Sequence, residues 1–230
     1  MLDELRESVL AANLALPEHG LVTLTWGNVS GIDRSSGLVA IKGSGIAYER
    51  MTAEDMVVVD LAGNVVAGSR RPSTDTPTHL ALYRAMPSIG GIVHTHSTWA
   101  TAWAQAEREI PVLGTTHADL CARAIPLTRP LTDTEVHEEY EAATGRVLVE
   151  AVVEHGGDEI PCALVRGHGP FCWAADPAAA VDVGVTLEEV ARLALLTTLL
   201  APDGPLLAAA VREKHFHRKH GPRAYYGQPS

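Results

Sequence analysis

The sequence predicts a single α/β or α+β domain, and three observations support this prediction. A chain of 230 residues is within the range of one compact domain, and a hydrophobic content of 46% is enough to form a core. Helical and strand patterns follow one another without a strict βαβ rhythm. No internal repeat, low-complexity tract or long linker divides the chain, so residues 1–230 are expected to form one domain.

Composition and charge exclude several classes of function. The formal net charge of −10 argues against a nucleic-acid-binding surface, which needs clustered Lys and Arg. The N-terminus MLDELRESVLAANLAL lacks the basic-then-apolar order of a signal peptide, and no apolar run reaches the roughly 18 residues of a membrane span. Three cysteines without a Cys-x-x-Cys pair fit a reducing compartment. We therefore expect a cytoplasmic protein that binds neither nucleic acid nor membrane.

Helix signals occur at five places along the chain. The spacing of apolar residues predicts a helix over residues 3–16 that ends before Pro17. Thr76 as N-cap with Pro77 at the first helical position predicts a second helix beginning just after Asp75. Three further helices are predicted from their capping residues, which are Ser97, the capping box of Thr132 and Glu135, and Asp176 followed by Pro177.

Strand signals are short and separated by Gly-, Asn- and Ser-rich segments. The runs VTLTW, LVAIK, MVVVD and GGIVHTH predict four strands, and CALVRGHGPFCW predicts two strands broken at GHGP. GNVSGID and KGSGIA are interpreted as turns between strands.

Two histidines at alternate positions of one strand indicate a metal site. Side chains alternate between the faces of a strand, so His94 and His96 point the same way. Hydrogen-bonded core histidines give the same pattern, so further ligands are needed. His168 between two glycines and Asp75 at a helix start would complete a zinc-type site with open positions, although spacing alone does not show that they converge. Favourable interaction with the helix dipole explains Asp75 equally well.

The glycine-rich segments also suggest an anion site. Backbone N–H groups without side-chain bulk can hold a phosphate, and nearby hydroxyls and one lysine would add donors. The candidates are Gly27, Asn28, Lys42, Gly43, Ser44, Gly45, Ser73 and Thr74, although an ordinary turn is the simpler interpretation of each one taken singly.

The C-terminal segment REKHFHRKHGPRAYYGQPS is basic and aromatic within an acidic protein. A frayed, solvated terminus is the simplest interpretation. Tyr225 and Tyr226 argue against it, because disordered segments are poor in aromatic residues.

Six segments together resemble the class II aldolase/epimerase family. They are TWGNVSG, KGSGIAYERM, RPSTDTPTHLALYRAMPSIGGIVHTHS, GTTHAD, GHGPF and RKHGPRAYYGQ. The last is more similar to the epimerase branch than to the fuculose-phosphate aldolases. The resemblance implies a three-layer α/β/α domain around a mainly antiparallel sheet, and a homotetramer with active sites between subunits.

The resemblance also implies roles for individual residues. His94, His96, His168 and Asp75 would hold one divalent metal per subunit, Zn²⁺ or alternatively Mn²⁺, since both accept imidazole and carboxylate ligands. Asp119 and Tyr226, supplied by a neighbouring subunit, would be the catalytic acid/base pair, with His215 assisting. The expected phosphate and sugar contacts are Gly27, Asn28, Lys42, Gly43, Ser44, Ser73 and Thr74.

The activity that the resemblance implies is metal-dependent epimerisation of L-ribulose 5-phosphate to D-xylulose 5-phosphate at C4. Asp75 stands at the place where the aldolases of the family carry a longer glutamate, and this similarity to the epimerases favours the epimerase. Two alternatives remain open: a class II aldolase or epimerase acting on another sugar phosphate, such as L-xylulose 5-phosphate or L-fuculose 1-phosphate, and a metal-free interaction module like the adducin head. The three intact histidines argue against the module.

Overall fold

A computed structural model of the protein describes residues 2–221 and 224–226. Its helices are α1 (Leu2–Glu18), α2 (Thr76–Ala85), α3 (Thr98–Gln105), α4 (Thr115–Leu120), α5 (Asp133–Glu138), α6 (Tyr140–His155), α7 (Pro177–Leu200) and α8 (Ala209–Lys219). Its strands are β1 (Asn28–Asp33), β2 (Leu38–Lys42), β3 (Met56–Asp60), β4 (Val65–Ala67), β5 (Gly91–His94), β6 (Cys162–Val165) and β7 (Gly169–Ala174). Within this part of the chain, no helix is long and apolar enough to cross a membrane.

The seven strands form one antiparallel sheet in the order β4-β3-β2-β1-β5-β7-β6. Helices cover both faces of this sheet. On one face, a Cβ added to Gly31 of β1 would meet Val9 of α1 and Pro177 of α7. On the other face, the Ser30 hydroxyl lies 2.8 Å from the Tyr83 hydroxyl of α2. The predicted three-layer α/β/α fold with an antiparallel sheet is therefore confirmed.

Most of the predicted elements are present with the predicted bounds or close to them. LVAIK and MVVVD are β2 and β3, and CALVRGHGPFCW forms β6 and β7 on either side of a turn. The capping box is formed as predicted, because the Thr132 hydroxyl accepts from the Glu135 N–H and the Glu135 carboxylate accepts from the Thr132 N–H. The Asp176 carboxylate accepts from the Ala179 N–H and caps α7.

The first predicted strand is wrong. VTLTW forms a loop, and β1 begins at Asn28, inside the segment GNVSGID that was interpreted as a turn. The Lys42 ammonium donates to the Thr25 carbonyl at 3.0 Å, and the Tyr48 hydroxyl donates to the Trp26 carbonyl at 2.8 Å. Because side chains satisfy these carbonyls, the segment needs no partner strand.

Two predicted boundaries also move by a few residues. Helix α1 continues through Pro17 to Glu18, since a proline in the last turn removes only one N–H donor and the buried Leu16 packs that turn against the core. The strand predicted over GGIVHTH ends at His94.

Helix starts differ from the prediction at two caps. The N-cap of α2 is Asp75 instead of Thr76. Ser97 precedes α3 as predicted, but its side chain makes no cap bond. The Glu188 carboxylate accepts instead from the Trp99 and Ala100 N–H groups, at 2.8 and 3.0 Å. A side chain from α7 thus replaces the local cap.

Buried polar contacts fix α2 on the sheet. The Ser30 hydroxyl lies 2.7 Å from Nδ1 of His79 as well as 2.8 Å from the Tyr83 hydroxyl. At the other end of α2, the Arg34 guanidinium donates to the Tyr83 carbonyl and to carbonyls just beyond the helix. These contacts hold α2 on the sheet, and Asp75 lies at its N-terminal end.

Helix α6 packs closely against α2. A Cβ added to Gly145 would lie 2.5 Å from Cβ of Ala81 and 3.1 Å from Cα of Thr78. The Thr78 hydroxyl also donates to the Glu141 carbonyl at 2.6 Å. The first turn of α6 is therefore held firmly against α2.

This packing predicts opposite effects for two glycine-to-alanine substitutions in helices. Gly145→Ala should lower the free energy of unfolding by about 1–3 kcal/mol, because the added methyl collides with α2. Gly184→Ala in α7 should raise it by roughly 0.5–1 kcal/mol, because the nearest side-chain atoms lie at 3.7 Å and alanine favours helix. Urea unfolding of both variants checks this, and a stabilised Gly145→Ala would contradict the close approach.

Candidate active site

A cleft of about 370 Å³ opens at the end of the sheet where β1, β2 and β5 meet. Its volume is within the range of small-molecule sites. Asn28, the first residue of β1, pairs with His94, the last residue of β5. The cleft is lined by Thr25, Trp26, Gly27, Asn28, Lys42, Ser44, Gly45, Ser73, Thr74, Asp75, His94, His96, Tyr140, Glu141 and His168.

Three imidazoles converge in this cleft. The ring centroids of His94 and His96 are 5.1 Å apart, and that of His168 is 4.9 Å from each. One nitrogen of each ring lies within 4.8 Å of the others. His168 reaches the pair because it occupies the β6–β7 turn and β7 pairs with β5. The structure thus brings the three predicted histidines together.

The donor set of this cluster fits a divalent transition metal. Nδ1 of His94 lies 3.0 Å from the Pro170 carbonyl and donates to it, which leaves the lone pair on Nε2. Nε2 of His168 lies 3.0 Å from Nε2 of His96. Three imidazole nitrogens with room for further ligands are typical of catalytic Zn²⁺ sites. The cluster is therefore a candidate metal centre.

Burial keeps these imidazoles in the neutral form that binds metals. It lowers the pKa of His94 to about 3, although the nearby Asp75 carboxylate opposes the shift. Burial also lowers the pKa values of His96 and His168. Protons therefore compete weakly for these nitrogens near neutral pH.

Asp75 lies on the cleft wall beside the histidines and stays ionised. Its carboxylate accepts from the Asn28 amide at 2.7 Å and lies 3.5 Å from the Ser73 hydroxyl. Burial by itself raises the pKa of Asp75, but His94, His79 and the Asn28 hydrogen bond outweigh burial and hold it below its usual value. The convergent set among the described residues consists of the three imidazoles, so ligation by Asp75 stays a prediction.

The Asn28 side chain presents a buried acceptor to the cleft. Its NH₂ group donates to Asp75 and Ser73, which assigns the amide orientation. Within the described chain, Oδ1 of Asn28 has no hydrogen-bond partner. Because an unpaired buried acceptor is costly, this oxygen is suited to a donor group of a bound ligand.

At three of the residues predicted to bind a phosphate, the backbone N–H group is already used within the protein. The N–H groups of Gly43, Ser44 and Ser73 already donate to carbonyls of adjoining segments at 2.9–3.0 Å. Gly43 lies behind the wall, where an added Cβ would come within 2.9 Å of the Asp55 carbonyl. The predicted phosphate contact through the Gly43 N–H is therefore not supported, whereas the hydroxyls of Ser44, Ser73 and Thr74 belong to residues that line the cleft.

Lys42 and Gly27 line the same end of the cleft. Only 3% of Lys42 is exposed, and its ammonium lies 5.1 Å from the centre of the Tyr48 ring. Burial lowers the pKa of Lys42, and the Asp75 carboxylate opposes the shift. Gly27 has a φ of 78°, and an added Cβ would lie 2.9 Å from the His94 carbonyl. Only glycine fits where this loop approaches the metal-site strand.

Asp119 and Tyr226 lie together, away from the cleft of their own chain. The Asp119 carboxylate accepts from the Arg218 guanidinium at 2.5 and 3.0 Å and from Nδ1 of His215 at 3.0 Å. The same guanidinium lies 4.5 Å from the centre of the Tyr226 ring. As far as the described residues form it, the cleft lining includes neither Asp119 nor Tyr226. Part of the segment RKHGPRAYYGQ, namely residues 222–223 and 227–228, lies outside the described residues.

The C-terminal segment contains a helix, so the interpretation as a frayed terminus is wrong for residues 209–219. Helix α8 docks on α4 through Arg218, His215 and the bond from His220 to the Asp119 carbonyl. Burial by itself raises the pKa of Asp119, but Arg218 and His215 outweigh it and lower that pKa.

Three residues that line the cleft carry no distinctive sequence signal. Tyr140 and Glu141 come from the first turn of α6, and the hydroxyl of Tyr140 lies 3.2 Å from Nδ1 of His168. Trp26 lies beside His96, with ring centroids 6.1 Å apart. Trp26 precedes Gly27 in TWGNVSG, but nothing in the local pattern separates it from a core aromatic.

The fold and the cleft together define an α/β/α protein with a three-histidine candidate metal centre beside a hydroxyl-rich pocket. Residues 7–195 match the family described as class II aldolase and adducin N-terminal domain, and the chain belongs to this family.

Several solved structures share this fold. The chain is similar to an L-fuculose 1-phosphate aldolase with a TM-score of 0.82 at 24% identity, covering 94% of this chain and 95% of that one. It is similar to L-fuculose-1-phosphate aldolase from Thermus thermophilus, with a TM-score of 0.67 at 28% identity and coverages of 88% and 98%. YgbL from Klebsiella pneumoniae matches with a TM-score of 0.72 at 24% identity and coverages of 93% and 98%.

Two buried histidines that lie outside the metal cluster predict acid sensitivity of the metal-free protein. Burial lowers the pKa values of His79 and His117 to about 4, whereas an unfolded histidine titrates near 6.5. The unfolded state therefore binds more protons below pH 6.5. The free energy of unfolding should fall between pH 6.5 and 4, by on the order of 3 kcal/mol for each histidine.

Chemical unfolding at a series of pH values measures this dependence. His117→Gln should show a shallower dependence, because its share of the proton uptake is removed. A profile that stays flat from pH 6.5 to 4 would contradict the assignment of neutral buried imidazoles.

Proposed function

We propose that the protein is a metal-dependent epimerase that converts L-ribulose 5-phosphate to D-xylulose 5-phosphate by inverting C4. The observation that carries this proposal is the short Asp75 carboxylate beside the three converged histidines. The resemblance assigns an aspartate at this place to the epimerases and a longer glutamate to the aldolases. The tail AYYGQ, also similar to the epimerase branch, supports the same choice.

The chemistry of C4 explains why an epimerase would resemble an aldolase. The C4 hydrogen is not acidic, so direct proton removal is implausible. Cleavage of the C3–C4 bond gives a three-carbon enediolate and glycolaldehyde phosphate, and rotation of the aldehyde before the bond re-forms inverts C4. A divalent cation held by His94, His96 and His168, with Asp75 as a fourth ligand, would supply Lewis-acid stabilisation of the developing negative charge.

The chain's own side chains would hold the substrate during this rotation. The hydroxyls of Ser44, Ser73 and Thr74 would bind the phosphate, with Lys42 providing the positive charge. The unpaired Oδ1 of Asn28 would accept from a sugar hydroxyl. The backbone of Gly27, which lines the cleft, would also contact the substrate. Retention of both fragments distinguishes an epimerase from an aldolase that releases its aldehyde.

Asp119 and Tyr226 would exchange a proton with the C4 oxygen on opposite faces. Arg218 and His215 keep the Asp119 carboxylate ionised, so it can accept a proton, while the Tyr226 hydroxyl would act as the donor. Asp119 would take the C4 hydroxyl proton as the C3–C4 bond breaks, and Tyr226 would donate a proton to the C4 oxygen when the aldehyde adds back through its other face. The two roles exchange only in the reverse reaction. Both residues lie outside the cleft of their own chain, which supports a site completed by a neighbouring subunit.

We propose a homotetramer with active sites at its subunit interfaces. Besides the position of Asp119, the exposed apolar end of α7 supports association, since Leu199 and Leu200 are 69% and 87% exposed.

Zn²⁺ is the proposed metal, with Mn²⁺ as the alternative. The free cysteines Cys121, Cys162 and Cys172 favour the cytoplasm, and the acidic composition argues against a nucleic-acid partner.

A class II aldolase acting on another sugar phosphate is the second candidate. The similarity to two L-fuculose 1-phosphate aldolase structures favours it. The same cleft would then cleave its substrate and release the aldehyde. The two candidates differ in their products, so a product assay separates them.

The first test supplies L-ribulose 5-phosphate with Zn²⁺ and follows D-xylulose 5-phosphate and glycolaldehyde phosphate separately. An epimerase forms xylulose phosphate without free aldehyde and loses this activity after chelation. Accumulating aldehyde would assign an aldolase. No turnover with Zn²⁺ or Mn²⁺ would reject the proposed substrate, and L-xylulose 5-phosphate and L-fuculose 1-phosphate would be tested next.

Two variants separate the metal centre from the acid/base pair. His96→Asn removes one imidazole and should lose both bound Zn²⁺ and activity. Asp119→Asn should keep Zn²⁺ while epimerisation falls by at least the roughly 10²-fold typical of a lost acid/base group. Metal content by elemental analysis and initial rates give the two readouts. A fully active Asp119→Asn protein would contradict the acid/base assignment.

Mixing the same two inactive variants tests whether sites are shared. After co-refolding, about one quarter of the sites should combine an intact histidine set from one subunit with an intact Asp119 from its neighbour. Activity should return to about that fraction. If each site is built within one chain, the mixture stays inactive, although metal binding by the Asp119→Asn subunits is unchanged.

A further inference from the structure

The Tyr140 hydroxyl contacts one of the three converged histidines from outside the cluster. It lies 3.2 Å from Nδ1 of His168, and the two rings are stacked at 29° with centroids 6.2 Å apart. The other ring nitrogen of His168, Nε2, faces Nε2 of His96 at 3.0 Å. Each nitrogen of His168 therefore has a different neighbour.

This arrangement determines which nitrogen of His168 can bind a metal. A neutral imidazole carries one proton, so a lone pair on Nε2 requires the proton on Nδ1. An N–H group in a partly buried site needs an acceptor, and the Tyr140 oxygen lies within hydrogen-bond distance. His94 is oriented in the same manner, because its Nδ1 donates to the Pro170 carbonyl. Such partners of metal-bound histidines fix the tautomer and the ring orientation.

The backbone that carries Tyr140 is held in place by helix packing. Tyr140 is the first residue of α6, and the next residue, Glu141, accepts from the Thr78 hydroxyl through its carbonyl. One turn further, Gly145 permits the close approach of α6 to α2. Tyr140 therefore begins a helix that is packed against the helix at whose start Asp75 lies.

We propose that Tyr140 is a positioning residue of the metal centre, whose phenol oxygen accepts the Nδ1 proton of His168 and thereby presents Nε2 to a divalent cation. This inference depends on the metal site of the proposed function and is independent of the sugar that is epimerised. It extends the site to α6, which contributes none of the three imidazoles.

The test is the affinity of the metal-free protein for Zn²⁺ alone, measured by competition with a chromophoric chelator. Tyr140→Phe keeps the ring and removes only the oxygen, so it should bind Zn²⁺ about 10–100-fold more weakly, the effect typical of such partners. Tyr225→Phe is the matched control, because its ring contacts Lys214 in the C-terminal segment. The control should bind Zn²⁺ like the parent protein.

The melting temperature of the metal-free protein separates positioning from a general structural role. We expect Tyr140→Phe to melt at the parent temperature while its Zn²⁺ affinity falls. Unchanged affinity would overturn the inference, and so would a loss of affinity accompanied by a lower melting temperature of the metal-free form. Failure of the parent protein to bind Zn²⁺ would instead reject the metal centre itself and the proposed function with it.

Discussion

The register between β1, β5 and β7 is the constraint on which the rest of the site depends. Asn28 pairs with His94 across β1 and β5, and His94 pairs with Phe171 across β5 and β7. Side chains alternate along a strand, so a slip of one residue would turn His94 to the opposite face of the sheet. It would then leave the cleft, and the Phe171 ring that now stacks on it at 4.1 Å would lose that partner.

The site that we propose consists of two halves built on different parts of the fold. The cleft half, with its imidazoles and hydroxyls, lies at the end of the sheet and is fixed by α2 and α6. The other half joins α4 to α8 around the Asp119 carboxylate. Asp75 and Asp119 are both held ionised by hydrogen bonds and nearby groups that outweigh the effect of burial. In both halves, a carboxylate therefore also organises the residues around it.

Local sequence patterns were sufficient for elements that neighbouring residues determine by themselves. β2 and β3 follow from apolar runs, and the capping box of Thr132 follows from two residues that bond to each other. The strand prediction for VTLTW was wrong because the side chains of Lys42 and Tyr48, which are distant in sequence, bind carbonyls of this segment. For the site, alternation predicted that His94 and His96 point the same way, and their ring centroids do lie 5.1 Å apart although β5 ends at His94. The meeting with His168 depends on the pairing of β5 with β7, and the position of Tyr140 depends on helix packing, neither of which is encoded locally.

Helix α8 attaches to the domain mainly through polar contacts with a single short helix, and it lies beyond residues 7–195 that match the family. None of its residues is fully buried. Substitutions in α8 therefore leave the sheet and its apolar interior undisturbed. Under the proposed roles, replacement of this terminal segment would therefore change the outcome of the reaction while the buried framework around the cleft stays the same.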